Sequence, residues 1–380
     1  MRTHDISARF DDLRAGSAVA FPGFAYDLVA QHPSEVEPVL AELERAVARG
    51  WWAFGFVSYE AAAGFALPVA DPVPGLPLAW FGISTAPVRV PLVSTEPAEQ
   101  RGSYRVAWRP VWTPEVHRER VEAVREWIAA GETYQTNLTT RLETSFVGDP
   151  AALYADLALA QRGAYNAFLD LGRFVVAGAS PELFFDLRNN ELLMRPMKGT
   201  APRGATPAAD AENVRRLCAS EKERAENIMI VDLVRNDVSR IAETGSVRVT
   251  SLCVPEQYET LHTLTSDVRA RLHPGTTILE VFRALFPCGS VTGAPKERTM
   301  ELITALEDGP RGVYCGAVGV VAPGGRARFN VAIRTVLVDR DSGIAVYGSG
   351  GGITWGSRPA PEYAELQVKA AVLGSTCGAR

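Results

Sequence analysis

The stretch GVYCGAVGVVAPGGRARFNVAIRTVLVDRDSGIAVYGSGGG, Gly312 to Gly352, decides the fold. Apolar and β-branched residues fill Gly312 to Val321, Ala327 to Val338 and Ile344 to Gly348, which read as strands. Pro323-Gly324-Gly325 lies between the first two and signals a hairpin. Upstream, Ala167 to Ala177 and Phe184 to Met194 read as strands too, and Arg188-Asn189-Asn190 is a second turn of this kind. Helical spacing occurs elsewhere, over Ser34 to Arg49 and over Pro114 to Ala130, where Val116, Val121, Val124, Trp127 and Ile128 share a face before Gly131. Helices and strands follow one another without a strict strand-helix repeat. An α+β fold is expected, with antiparallel sheets and helices packed outside them.

Composition bounds the rest. The 380 residues are 47% hydrophobic and 22% charged, enough to bury a large core without disulfides. A net charge of -5 with no basic run argues against nucleic acid or an anionic membrane as partner. No signal sequence or apolar span is evident. Cys218, Cys253, Cys288, Cys315 and Cys377 are widely spaced, without a CxxC pair, which favours the reducing cytoplasm and disfavours zinc. The proline-rich stretch Pro68 to Pro97 marks a seam, and a boundary near residue 105 is expected. It would separate an N-terminal segment (1–105), containing the apolar strand Trp51 to Tyr59, from a core (106–375).

Of the 39 basic side chains only Lys198, Lys222, Lys296 and Lys369 are lysine. Arginine fills the generic cationic roles, and a site needing an amine able to lose a proton cannot use it. Lys198 follows a strand in Arg195-Pro196-Met197-Lys198-Gly199-Thr200, where either a nucleophile or a solvated surface lysine would fit. Glu223 and Glu226 lie three residues apart on a helix, as do Glu362 and Glu365. Alone, each pair is more often a solvated face; if the two met, four carboxylates would suit Mg²⁺. Glu182 sits at a turn between strands, as a general acid or a capping carboxylate. Gly348-Ser349-Gly350-Gly351-Gly352 follows a strand and could cradle an anion or form a tight turn. It is not a dinucleotide fingerprint, because Ile353 stands where glycine is needed. Gly289 to Lys296 is not a P-loop.

Taken in order, these segments resemble the chorismate-utilising enzymes, the family of anthranilate synthase component I, aminodeoxychorismate synthase component I, isochorismate synthase and salicylate synthase. The resemblance runs from about residue 115 to residue 373, through Gly131 to Leu138, Ser180-Pro181-Glu182, the Lys198 segment, Ala225 to Arg240, Pro287 to Lys296, Arg311 to Gly319, Asn330 to Thr335 and Gly350 to Glu365. Gly55 to Glu60 is similar as well, with less specificity. Cys288 and Gly356 depart from the usual Gly and Asp.

The resemblance implies a sandwich of antiparallel sheets with outer helices and assigns roles by position. Glu182 matches the catalytic acid; Glu226 and Glu365 match Mg²⁺ ligands, with Glu223 and Glu362 one turn away. Arg334, Tyr314, Gly350, Gly351 and Gly352 match groups holding the ring carboxylate. His262 matches a histidine near the ring, Ser290 a hydroxyl near the reacting carbons, and Lys296 is placed with the substrate-binding residues. Lys198 matches the lysine form of aminodeoxychorismate synthases, where anthranilate synthases typically carry Ala. Gln135 stands where hydroxylating relatives carry Lys. The expected reaction is amination of chorismate by ammonia to 4-amino-4-deoxychorismate through a covalent Lys198 adduct, for 4-aminobenzoate and folate synthesis. The chain has no Gly-x-Cys-x-Gly elbow, so a glutamine amidotransferase subunit is the expected partner. Anthranilate formation and a non-catalytic, glutaminase-docking subunit are the alternatives.

Overall fold

The apolar run Ala327 to Val338 is two strands in two different sheets. Arg326–Val331 belongs to one sheet and Thr335–Asp339 to the other, and the chain crosses between them over Ala332 to Arg334. Arg334 turns the corner with φ +53°. The computed structural model describes residues 6–96, 101–259 and 261–374, so Cys377 lies outside the described residues.

The first sheet runs Gly293–Ala294, Gln135–Ser145, Ile344–Ile353, Thr335–Asp339, Phe174–Ser180, Tyr165–Asp170, Ser7–Asp12, Ser17–Ala20, Val88–Arg89, with Arg109–Pro110 beside Gln135–Ser145. The second runs Met197–Pro202, Leu261–Arg271, Glu191–Arg195, Leu183–Arg188, Arg326–Val331, Ala317–Ala322, Trp52–Val57, Ala79–Ser84, Phe24–Ala30, with Arg248–Gln257 beside Leu261–Arg271. Neighbouring strands are antiparallel, as the hairpin turns imply. Asn189 and Asn190 have φ +50° and +66°, the twist that a tight hairpin turn requires. Ala167 to Ala177 is likewise two strands, Tyr165–Asp170 and Phe174–Ser180, folded back at Gly172, φ +87°.

Among the described residues eight α-helices complete the fold: α1 (Pro33–Ala48), α2 (Pro114–Ala129), α3 (Pro150–Gln161), α4 (Pro207–Ala219), α5 (Glu221–Ser239), α6 (Ile278–Leu285), α7 (Lys296–Leu306) and α8 (Pro359–Gly374). Alternation along the strands sorts the core into layers. Phe54 and Phe56 of the second sheet meet Leu169, Phe174 and Val176 of the first in the space between the sheets. Their neighbours Ala53 and Val57 point the other way, onto Leu40 and Leu43 of α1 and Phe282 of α6. Val175 and Ala177 pack against Leu153 and Leu157 of α3, and Val372 of α8 joins the same cluster. The molecule is thus a sandwich with helices on its outer faces. None of the described helices is long and apolar enough to cross a membrane.

Residue 105 divides the chain less sharply than its prolines suggest. Ser7–Asp12 pairs with Tyr165–Asp170 in the first sheet, and Trp52–Val57 pairs with Ala317–Ala322 in the second. The N-terminal segment is woven into both layers, and Ala79–Ser84, inside the proline-rich stretch, is wholly buried.

Candidate active site

Two helices and the ends of both sheets line a cavity. Ser220 starts α5 by accepting from the Glu223 N–H at 3.3 Å, so that Lys222, Glu223 and Glu226 fall on the first turns and line the cavity. Glu362, Glu365 and Lys369 line it from α8. The second sheet contributes Lys198 on the strand Met197–Pro202, and Glu182 stands in the two-residue link that takes the chain from Phe174–Ser180 of the first sheet into Leu183–Arg188 of the second. Ser290, Tyr314, Arg334, Gly350 and Gly352 close the remaining walls.

The glycines are strand and not loop. Ile344–Ile353 continues through them, pairing Gly350 with Thr139 and Gly352 with Asn137. What glycine supplies is clearance. A Cβ on Gly352 would lie 2.1 Å from Lys198 Nζ and 2.6 Å from Gln135 Nε2, and one on Gly348 would lie 2.2 Å from the Tyr314 ring. The amine of Lys198 therefore rests on bare backbone beside the amide of Gln135, whose polar atoms have no hydrogen-bond partner. Gly351 does not line the cavity; its Cβ position would be 3.6 Å from Glu362 Oε2 and 3.8 Å from Lys369 Nζ.

Two cations face the cavity uncommitted. Among the described residues, neither the Lys198 amine nor the Arg334 guanidinium has a hydrogen-bond or ion-pair partner. Glu182 is 3% exposed, and burial pushes its carboxyl up to about 7. Hydrogen bonds from the Ser290 hydroxyl and the Met197 N–H, and the charges of Lys198 and Arg334, pull the other way. Such a carboxyl can give a proton at neutral pH and take one back.

The carboxylates of α5 and α8 line the same cavity. Burial and mutual repulsion raise Glu223 and Glu362 above the usual carboxylate range. Lys222 Nζ lies 3.8 Å from both Glu226 and Glu362, bridging the helices. Lys369 Nζ contacts Glu365 Oε1 and the Gly350 carbonyl, each at 2.7 Å. As the side chains stand, no three acidic, His or Cys groups among the described residues are grouped tightly enough to hold a metal ion. The donor set nonetheless fits a hard divalent cation. Glu226 Oε1 is buried without a hydrogen-bond partner, and the bridging Lys222 ammonium is half exposed and free to swing away.

Besides Gly351, two residues expected at the site are held elsewhere. His262 is buried, but its Nε2 lies 2.8 Å from Asp210 of α4, and it does not line the cavity. On its strand the inward position is taken by the next residue, Thr263. Lys296 is ion-paired with Asp237 of α5 at 2.7 Å and donates to the Leu285 carbonyl, so it braces α5 from behind. The sequence reading missed Lys222 and Lys369 as site residues. Their signal was present: each is one of four lysines and each stands four residues from a cavity glutamate, in Lys222–Glu226 and Glu365–Lys369.

An α+β sandwich with an acidic two-helix cleft, a free lysine and a free arginine defines a class. Residues 8–374 match the chorismate binding enzymes, and the chain belongs to that family. It is 40% identical over 350 residues to an aminodeoxychorismate synthase of Streptomyces griseus, covering 91% of this chain and 44% of that protein. It is also 40% identical over 266 residues to an anthranilate synthase component 1 of Aquifex aeolicus, covering 70% of this chain and 53% of the relative. The chain thus spans about half the length of these relatives. The crystal structure of anthranilate synthase component I from Streptococcus pneumoniae superposes with a TM-score of 0.82 at 25% identity, covering 97% of this chain and 92% of that one.

Proposed function

We propose that the chain is the chorismate-aminating component of an aminodeoxychorismate synthase, making 4-amino-4-deoxychorismate from chorismate and ammonia. One observation carries this reading above the others. Lys198 enters the cavity with no partner for its amine among the described residues, together with an acid held near neutrality.

Arg334, Tyr314 and the glycine strand receive the ring carboxylate. Glu226 and Glu365, flanked by Glu223 and Glu362, would hold Mg²⁺, which when bound offsets the charge of that carboxylate. Lys198, after its ammonium gives a proton to solvent, adds to C2; the ring double bonds shift and the C4–O bond breaks. Glu182 gives its proton to the departing oxygen, so that water leaves rather than hydroxide. Ammonia then adds at C4, the double bonds shift back, and the C2–N bond breaks to release Lys198. The Glu182 carboxylate takes the surplus proton from the new amine. Chorismate and ammonia give aminodeoxychorismate and water, the enolpyruvyl ether is retained, and two displacements replace one difficult substitution.

The name component 1 carried by the Aquifex relative supports a partner component as the ammonia source, a glutamine amidotransferase working with this chain in the cytoplasm. Anthranilate formation is the second reading, favoured by the equal identity to the Aquifex relative. Mass spectrometry of the products from chorismate, ammonium and Mg²⁺ separates the two. A Mg²⁺-dependent amino product that retains the enolpyruvyl group, lost in Lys198→Ala, is expected. Anthranilate with pyruvate, or a Lys198→Ala protein at the wild-type rate, would overturn the assignment.

A further inference from the structure

Tyr59 and Glu60 close the N-terminal motif Gly55 to Glu60 and touch none of the cavity. Both are buried, and both act on Arg311. Glu60 accepts from the Arg311 N–H at 2.7 Å and the Gly312 N–H at 2.9 Å. The Arg311 guanidinium lies 4.4 Å over the Tyr59 ring and is clamped in two places by Glu307, at 2.7 and 2.8 Å. Glu307 in turn accepts from the Thr139 N–H at 2.8 Å.

A buried guanidinium is costly to desolvate, and this one spends its remaining donors on main chain. Nη1 donates to the Val291 carbonyl at 2.7 Å and Nη2 to the Asn137 carbonyl at 2.8 Å. Val291 follows Ser290 in a single 3₁₀ turn, and Ser290 lines the cavity wall together with Glu182, its hydroxyl 3.3 Å from Cys288 Sγ. Asn137, itself in the cavity wall, pairs with Gly352, on which the Lys198 amine rests. One side chain thus ties the backbone beside the acid to the backbone beside the amine.

We propose that Arg311, held by Tyr59, Glu60 and Glu307, is a positioning residue that sets Ser290 against Glu182. The proposal rests on Glu182 being the acid of the reaction above, and deepens it. Glu182 faces Ser290, the Met197 N–H, Lys198, Arg334, Cys288 and Cys315; Arg311 bonds directly to the turn that carries Ser290 and Cys288, and reaches the Lys198 side only through the Asn137 strand.

Arg311→Lys keeps a cation for Glu307 but cannot span both carbonyls. Its kcat is expected to fall by roughly 100-fold, the cost of about 1 Å of misplacement. KM for chorismate should stay within a few-fold, because Arg334 is untouched. The alkaline limb of the kcat profile should move up by ~0.5 to 1 pH unit as the Ser290 hydroxyl, which favours the ionised Glu182, is displaced. A variant unstable for buried-charge reasons would show none of this shift in its folded fraction. Should Arg311→Lys not fold, Tyr59→Leu, which removes only the ring under the guanidinium, must show the same limb displacement. An unmoved limb, or unchanged kcat, in the folded variant overturns the proposal. If the wild-type chain turns over no chorismate, the functional reading fails alone. A crystal structure of the variant still decides the positioning role: Ser290 displaced supports it, and Ser290 in place refutes it.

Discussion

Gly352→Ala tests the site at its tightest point. The added methyl would sit 2.1 Å from Lys198 Nζ and 2.6 Å from Gln135 Nε2, where ordinary contact begins at 3.4 Å. The amine therefore has to retreat by more than about 1 Å, and displacement of a reacting atom by that much costs on the order of 100-fold in rate. That is about 2.7 kcal/mol of barrier. The fold should tolerate the change, because the clash is with the flexible ends of two side chains and the strand backbone does not need positive φ. Initial rates of Mg²⁺-dependent amination, read by coupled conversion to 4-aminobenzoate, give kcat directly. Gly356→Ala is the control, since a Cβ there meets nothing within 4 Å. A Gly352→Ala enzyme within twofold of wild type, with an unchanged melting temperature, would refute the claim that this glycine exists to seat the amine.

With Glu182 pushed up to about 7, the protonated acid is the working form below that pH. The rate limited by C4–O cleavage should therefore fall as pH rises through about 7, and Glu182→Gln should lose activity without that limb. Glu226→Gln removes the buried oxygen that has no hydrogen-bond partner, and titration calorimetry should show Mg²⁺ affinity weakened by at least roughly 10-fold. In the wild-type protein Mg²⁺ should also raise the melting temperature by mass action, an effect that Glu226→Gln should blunt. His262→Gln, which keeps a donor for Asp210, should leave chorismate KM unchanged within twofold. A large KM change would place the histidine back at the substrate.

The strands were legible because their apolar and β-branched runs are long and their turns carry Gly and Asn. The crossing at Ala332 to Arg334 was not, since residues on both sides are buried and the link contains neither Gly nor Pro to mark it. The fold at Gly172 did carry a signal, Asp170 with Gly172, which reading Ala167 to Ala177 as one strand passed over. For the site, helix periodicity placed Glu223 with Glu226 and Glu362 with Glu365, but their meeting depends on how α5 and α8 pack, which no local pattern encodes. His262 shows the converse. A position can match a family histidine while its ring is engaged by a carboxylate, Asp210, from a helix fifty residues earlier.

The crossing has a consequence for which changes this chain can accept. Val331 ends a strand in one layer and Thr335 begins a strand in the other, so three residues set the phase of both. Adding or deleting one of them would invert the faces of whichever strand slipped, exchanging core and outer side chains along its length. The same slip would carry Arg334 away from the cavity. The length of this link is therefore as strictly constrained as the identity of the arginine, and drift in this protein should show substitutions there without insertions.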